Sequence, residues 1–353
     1  MNLKPFALVI TFLAAALLLS GCAQGLMPAS WPGIAVSADT AYVAAGQHVF
    51  AINLADGREK WRFPERAKAT QLFYAAPVLT QDGQLIVAGY DHVLYSLDPA
   101  SGETKWAFKG GRDRYIAAPL VTQDRIYAPN ADYRLYALDL NGNLQWTFEG
   151  TQSFWGSPLL EGERLYIGSL DRKVYALRAA DGTKVWERDL GAAILSTPAT
   201  AEDQPLLVTA FDGTLYALDK ASGDVLWQKN LGARLWATPL IADNHLYTGD
   251  EAGRLHAIDP ATGAELWQMD ARSAILSTPL RYDSLLAFGC EDGRLQAITL
   301  EGTPEWQQMV NGKLYGAPVL AGDLILVAPV EGEYVLIAIT PTGAQKWAFK
   351  PGK

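Results

Sequence analysis

The sequence predicts an all-β protein, an eight-bladed β-propeller, and three observations carry that prediction. A glycine is followed four residues later by a tryptophan eight times, at Gly57/Trp61, Gly102/Trp106, Gly142/Trp146, Gly182/Trp186, Gly223/Trp227, Gly263/Trp267, Gly302/Trp306 and Gly343/Trp347, with the tryptophans 39 to 45 residues apart. A second marker keeps the same count: a proline, usually after two small residues, at Pro32, Pro77, Pro119, Pro158, Pro198, Pro239, Pro279 and Pro318. Between the markers lie short runs of period two separated by Asp, Asn and Gly turns, and no stretch after residue 31 keeps a capped 3.6-residue apolar period. Four antiparallel strands per ~40 residues make one blade, and eight blades close radially.

The elements follow in order. Residues 2–21 carry one positive charge at Lys4, an apolar run from Pro5 to Leu19, then Ser20, Gly21 and Cys22. That is the layout of a secretory signal, and the run is shorter than the ~20 apolar residues of a transmembrane helix. Leu19-Ser20-Gly21-Cys22 resembles a bacterial lipobox, in which cleavage leaves Cys22 as the lipidated N-terminal residue. The alternative is an ordinary signal peptide with an incidental cysteine. Residues 1–21 are thus expected as a lipoprotein signal peptide, 22–31 as a lipidated tether and 32–350 as the propeller. Ala23, rather than aspartate, after the cysteine is compatible with outer-membrane sorting.

Within a repeat each marker has a mechanical role. In Asp98 to Gly102, Asp219 to Gly223 and Asp259 to Gly263, the aspartate ends the third strand and can accept turn amides, while the glycine accepts positive φ. The tryptophan follows on the outer strand. Its ring is expected to be buried between neighbouring blades, with the indole N–H on a backbone acceptor. Small pairs such as Ala75-Ala76, Ala117-Ala118, Ser196-Thr197 and Gly316-Ala317 precede the proline where eight strands converge. Pro32 begins an inner strand and the chain stops six residues after Trp347. Every blade is therefore expected to own four consecutive strands, with blade 8 meeting blade 1 by face packing.

Composition narrows the function. With 353 residues, 49% of them hydrophobic and 19% charged, the chain can bury a large core. A net charge of −9 and a pI near 5.0 argue against a nucleic-acid partner. Cys22 and Cys290 are the two cysteines, so a lipidated Cys22 leaves Cys290 without a disulfide partner, as a buried thiol. His48, His92, His245 and His256 fall in different repeats without metal-ligand spacing. Asp171, Asp212, Glu251, Glu291 and Asp292 lie at hairpin positions and read as turn carboxylates. No Gly-x-Ser-x-Gly elbow or phosphate loop with lysine gives a hydrolase or kinase reading a starting residue.

The pattern Ala-x-Asp-x-x-Ser/Thr-Gly-x-x-x-Trp resembles the quinoprotein-type, or PQQ-like, tryptophan-docking repeat over about 315 residues. Two branches of that superfamily matter. The pyrroloquinoline-quinone dehydrogenases imply a calcium site, a catalytic aspartate, commonly a disulfide of adjacent cysteines, and large insertions; this sequence has neither adjacent cysteines nor long insertions. The lipoprotein B (BamB) family of the outer-membrane β-barrel assembly machinery implies a non-enzymatic scaffold. In its members the partner contact is a leucine-and-arginine loop before a small-small-proline strand. Leu231-Gly232-Ala233-Arg234 before Ala237-Thr238-Pro239 is similar, with Ala233 where that motif has a second leucine, so the resemblance points to Leu231 and Arg234.

The residues themselves point to the same loops. Three positions before each proline from Pro77 on stand Tyr74, Ile116, Trp155, Leu195, Trp236, Leu276 and Tyr315; four before stand Phe73, Tyr115, Phe154, Ile194, Leu235, Ile275 and Leu314. Consecutive residues entering a strand point to opposite sides. Either both sets are buried between blades, or one set rings a mouth of the channel. Arg114, Arg234 and Lys313 each lie five residues before a proline, with Arg112 and Arg272 nearby. Aromatic residues beside arginine are the composition of interface anchors. The expectation is a lipid-anchored, extracytoplasmic docking platform without catalysis, cofactor or metal, whose partner is an envelope protein, the barrel-assembly machinery among the candidates. The alternative is an enzyme or sensor that binds a quinone, metal or glycan at the axis.

Overall fold

The computed structural model describes residues 31–352, and every strand in it pairs with its neighbour in sequence. The signal segment and Cys22 lie outside the described residues. Blade 1 sets the pattern: β1 (Gly33–Val36), β2 (Thr40–Ala45), β3 (His48–Asn53) and β4 (Glu59–Phe63) form one antiparallel sheet in that order. Seven further sheets repeat it, ending with an outer strand Gln345–Phe349, and the described residues contain no helix.

One blade departs from four strands. Blade 5 has three, and its inner strand is reduced to a single bridge between Ala199 and Leu207. The cause is local. Pro198 and Pro205 flank the segment without N–H groups to offer a ladder, and the Thr200 hydroxyl bonds the carbonyls of Gln204 (3.1 Å) and Pro205 (3.0 Å).

The repeat motif has a geometric reading. In every blade the tryptophan pairs across the ladder with a small residue of the third strand, as in Ala51↔Trp61, Ser96↔Trp106 and Ala217↔Trp227. A bulge follows immediately, between Ala217 and Leu218 in blade 5, and turns the outer strand toward the next blade. There Trp227 Nε1 donates to the Pro260 carbonyl at 3.2 Å and its ring lies on Gly263, whose φ is +72°. Asp259 fixes that turn by accepting the Ala261 amide at 2.8 Å. The other blades dock in the same way. Trp61 Nε1 donates to Pro99 O (3.0 Å), Trp106 to Leu140 O (3.0 Å) and Trp146 to Ala179 O (3.1 Å). Trp186 donates to Lys220 O (3.2 Å), Trp267 to Leu300 O (3.0 Å) and Trp306 to Pro341 O (2.8 Å). The same contact closes the ring, because Trp347 Nε1 donates to the Leu54 carbonyl at 2.9 Å and Gly57 lies on the Trp347 ring.

The depth of these rings differs from the expectation of outright burial. Trp186 alone is buried, at 9% exposure, whereas Trp61, Trp106, Trp146, Trp227, Trp267, Trp306 and Trp347 are half-buried. The reason is their strand. The outer strand is the open edge of each sheet, so its residues keep contact with solvent, as the exposed neighbours Leu226 and Gln228 of Trp227 show. An indole with one hydrogen-bonded N–H and a large apolar ring suits such a partly wet position.

The core sits between blades rather than within them. Ile34, Val43, Phe50 and Ile52 of blade 1 pack against Leu324, Leu326, Leu336 and Phe349 of blade 8. Equivalent clusters occupy the other interfaces, for instance Leu207, Leu215 and Ala217 against Leu246 and Ile258. Among the described residues blade 8 thus meets blade 1 by face packing, with no strand exchanged. Antiparallel alternation also gives the disc two unlike faces. The loops from each outer strand to the next inner strand share one face with the second-to-third-strand hairpins, and this is the loop face. The Asp-to-Gly turns and first-to-second-strand hairpins form the opposite, turn face.

Candidate functional site

Each loop on the loop face is fixed to two blades. The residue four before the proline donates its amide to the preceding blade's hairpin, as from Tyr115 to Gly89 O (3.2 Å) and Ile275 to Asp250 O (3.0 Å), except in the Arg234 loop, where Leu231 donates to Gly213 O (2.8 Å). The residue five before it accepts from the following blade's hairpin, as Arg114 O does from Ala131 (2.9 Å) and Arg234 O from Glu251 (3.0 Å). These backbone bonds sort the side chains. The set four before the proline is buried throughout, with Phe73, Tyr115, Phe154, Ile194 and Ile275 at 0% exposure. The set three before it turns to the axis, where Ile116, Trp155, Leu195, Trp236, Leu276 and Tyr315 line a cavity of about 330 Å³. Tyr74 does not reach it; its ring packs on Tyr90 with centroids 5.3 Å apart.

The basic residues stand around this mouth, each over an aromatic ring. The Arg234 guanidinium lies 5.0 Å from the Phe211 ring centroid and 3.5 Å from Glu251, and Phe211 meets Trp236 edge-on at 4.9 Å. Arg114 lies 5.6 Å over Tyr90 and 3.5 Å from Asp113. Lys313 lies 5.9 Å over Tyr315, 3.1 Å from Glu331 and 3.9 Å from Glu291. A hydrogen-bonded contact with Glu331 raises the Lys313 pKa above its usual value. The three cations are distributed around the face, not gathered, and all remain partly exposed.

Leu231 is not part of this surface. The sequence placed it beside Arg234 as an exposed partner contact, but it is 6% exposed and packs with Leu207, Leu215 and Leu235. The reason lies in the next blade. Arg254 Nη2 donates to the Leu231 carbonyl at 2.9 Å, while Arg254 Nε is held by Asp250 Oδ2 at 2.9 Å, which draws the loop inward. Arg294, bonded to Asp292, does the same for the following loop through Ala271 O at 2.7 Å. Asp250 is itself fully buried. Burial pushes its carboxyl up, and hydrogen bonds from His256 and Arg254 outweigh that and hold it below the usual range.

Sequence reasoning missed three members of the face. Trp31, counted with the tether, packs its ring 5.6 Å from Trp236 and 5.1 Å from Tyr315 across the channel mouth. Tyr90 and Phe211 support the two arginines; the available signal was their shared position immediately before the hairpin aspartates Asp91 and Asp212.

The chemistry available at the axis is limited. The cavity walls carry no charged and no amide side chain, only aromatic, aliphatic and small hydroxyl residues. Pyrroloquinoline quinone carries carboxylates and is held with calcium, so these walls do not fit that group. The hairpin carboxylates are occupied locally: Tyr95 donates to Asp91 (2.5 Å), Tyr136 to Asp132 (2.6 Å) and Tyr175 to Asp171 (2.5 Å). No group of three His, Cys, Asp or Glu side chains able to hold a metal occurs among the described residues. Burial pushes the Cys290 thiol up to about 11, against a hydrogen bond from Gln296, which keeps it in the unreactive thiol form.

Comparison with known proteins agrees with this geometry. Among solved structures, BamB from Moraxella catarrhalis superposes with a TM-score of 0.72 at 19% identity, over 85% of this chain and 93% of that one. The computationally designed Ika8 protein superposes at 0.74 with 16% identity, over 91% and 96%. At those identities the likeness is one of fold. No curated protein matches the sequence. The family model described as outer membrane protein assembly factor BamB matches residues 45–154, 141–234 and 211–307, most of the chain. The chain belongs to that family.

Proposed function

We propose that this protein is a lipid-anchored scaffold of the cell envelope that performs no chemical step and holds a protein partner of outer-membrane β-barrel assembly on its loop face. The family supports the setting. The observation that carries the reading is the loop face itself: loops braced to two blades, presenting Arg114, Arg234 and Lys313 over the rings of Tyr90, Phe211 and Tyr315. A cation held on an aromatic surface loses little freedom on binding, and arginine with tyrosine or tryptophan is the composition of binding hot spots. Tyr74, Trp155 and Trp236 add apolar area at or beside the mouth, and Cys22 would keep this platform at a membrane. The test is charge reversal, Arg114→Glu with Arg234→Glu and Lys313→Glu. Copurification of the envelope partner should fall by about thirtyfold or more, the effect of one hot spot worth 2 kcal/mol, while the circular dichroism spectrum stays unchanged. Undiminished copurification by a folded triple variant would reject the loop face as the docking surface.

A further inference from the structure

We infer that the mouth of the axial cavity is a socket for an aromatic side chain on an extended segment of the partner, and that Trp31 fills it in the isolated chain. This rests on the docking reading above and adds the chemistry of what is docked.

Trp31 precedes β1, yet its ring crosses the mouth to Trp236 of blade 6 and Tyr315 of blade 8. The chain thus carries in cis the kind of occupant the site takes, an indole on a non-repeating segment. Behind it lies about 330 Å³ of space with uncharged walls. An apolar cavity of roughly 150 Å³ already holds benzene, so the space admits an aromatic ring.

One polar group of the mouth lacks a partner: Trp236 Nε1 is buried without a hydrogen-bond partner among the described residues, under the Trp31 ring. Ser277 Oγ also lacks one, but its register sets it against the second strand of its own blade, as Ser196 Oγ is set against Thr209 Oγ1 (2.6 Å) in blade 5, and blade 7 has Gly289 at the threonine's position. A buried donor without an acceptor is destabilising, and an incoming backbone carbonyl at Trp236 relieves that cost. An aromatic ring and a carbonyl acceptor without charge describe an extended peptide bearing an aromatic residue. Trp31 competes for the site and lowers the partner's apparent affinity by the fraction of time it occupies the mouth.

The probe is N-acetyl-5-fluorotryptophanamide, followed by fluorine NMR against the purified chain. Trp31→Ala should bind it saturably and at least tenfold more tightly than the wild type, and Trp31→Phe, a smaller plug, should lie between. Adding Trp236→Phe to Trp31→Ala keeps a ring and removes the N–H, and should weaken binding roughly fivefold, the effect of one neutral hydrogen bond. Failure of both Trp31 variants to bind the probe, or binding that Trp236→Phe leaves unchanged, overturns the socket. Those outcomes are independent of partner capture by the charge-reversed face. The docking reading can therefore stand while the socket fails, and the reverse.

Discussion

Gly263 meets two separate demands at one position. Its φ of +72° disfavours a side chain, and a Cβ there would come within 2.7 Å of Trp227 Cε3. Gly83 meets only the first, with φ +78° and open space around it. Gly83→Ala should therefore cost about 1–2 kcal/mol, the penalty of a left-handed L-residue, and Gly263→Ala clearly more. Thermal melts of the two variants measure the difference, and equal midpoints would mean that the indole contact contributes nothing. Trp227→Ala, which removes a half-buried ring and its bond to Pro260, should cost about 3 kcal/mol of a total near 5–15. An exposed hairpin change such as Asp212→Asn should leave the midpoint almost unmoved. This contact was legible because both partners recur at fixed spacing in every repeat. How deeply each ring sinks was not, since Trp186 and the half-buried Trp146, Trp267 and Trp306 share one motif and differ only in what the surrounding blades place over them. Trp31 was not legible either, because its partners Trp236 and Tyr315 lie more than 200 residues away and it precedes the first repeat. Leu231 was misplaced for a similar reason: its burial is decided by Arg254 of the following blade.

At the scale of the element, the turns and loops make the blades into a rigid platform. Backbone amides of the turns hold the Asp98, Asp219 and Asp259 carboxyls below their usual pKa of 3.8. A depressed carboxylate contributes stability that is complete above its unfolded pKa and is lost as pH falls through the folded one. Melting temperature should thus be insensitive to these groups from pH 8 to about 5 and decline below about 4. A triple variant, Asp98→Ala with Asp219→Ala and Asp259→Ala, should melt lower than wild type at pH 7, the gap narrowing as pH drops below 3.8. A gap that is constant with pH would assign the effect to something other than the charged form. Strand order was readable from the alternation of apolar and turn residues. The shortened inner strand of blade 5 was not, because the eightfold markers continue through Pro198 while Pro205 and the Thr200 hydroxyl remove the ladder beyond it.

For the whole molecule, ring closure by Trp347 on blade 1 leaves two unlike faces and a channel whose mouth opens on one of them. Trp31, the first described residue, lies at that mouth. Cys22→Ser is expected to release the protein from membranes or leave an unprocessed precursor, and normal processing with unchanged carbonate-resistant membrane association would reject lipidation. The eightfold order was legible in the sequence, and so were the basic positions Arg114, Arg234 and Lys313. Their aromatic supports Tyr90 and Phe211 were not singled out, because the pairing arises between the hairpin of one blade and the loop leading into the next. The designed Ika8 protein shares the fold at 16% identity, and a fold by itself assigns no partner. That assignment must come from the faces. Ala233 on the loop face and Ala261, exposed on the turn face of blade 6, allow the faces to be compared directly. With a photo-crosslinking amino acid at either position in intact cells, Ala233 should yield a discrete adduct with a β-barrel assembly protein and Ala261 should not. Adducts of equal yield from both positions, or from Ala261 alone, would contradict docking on the loop face.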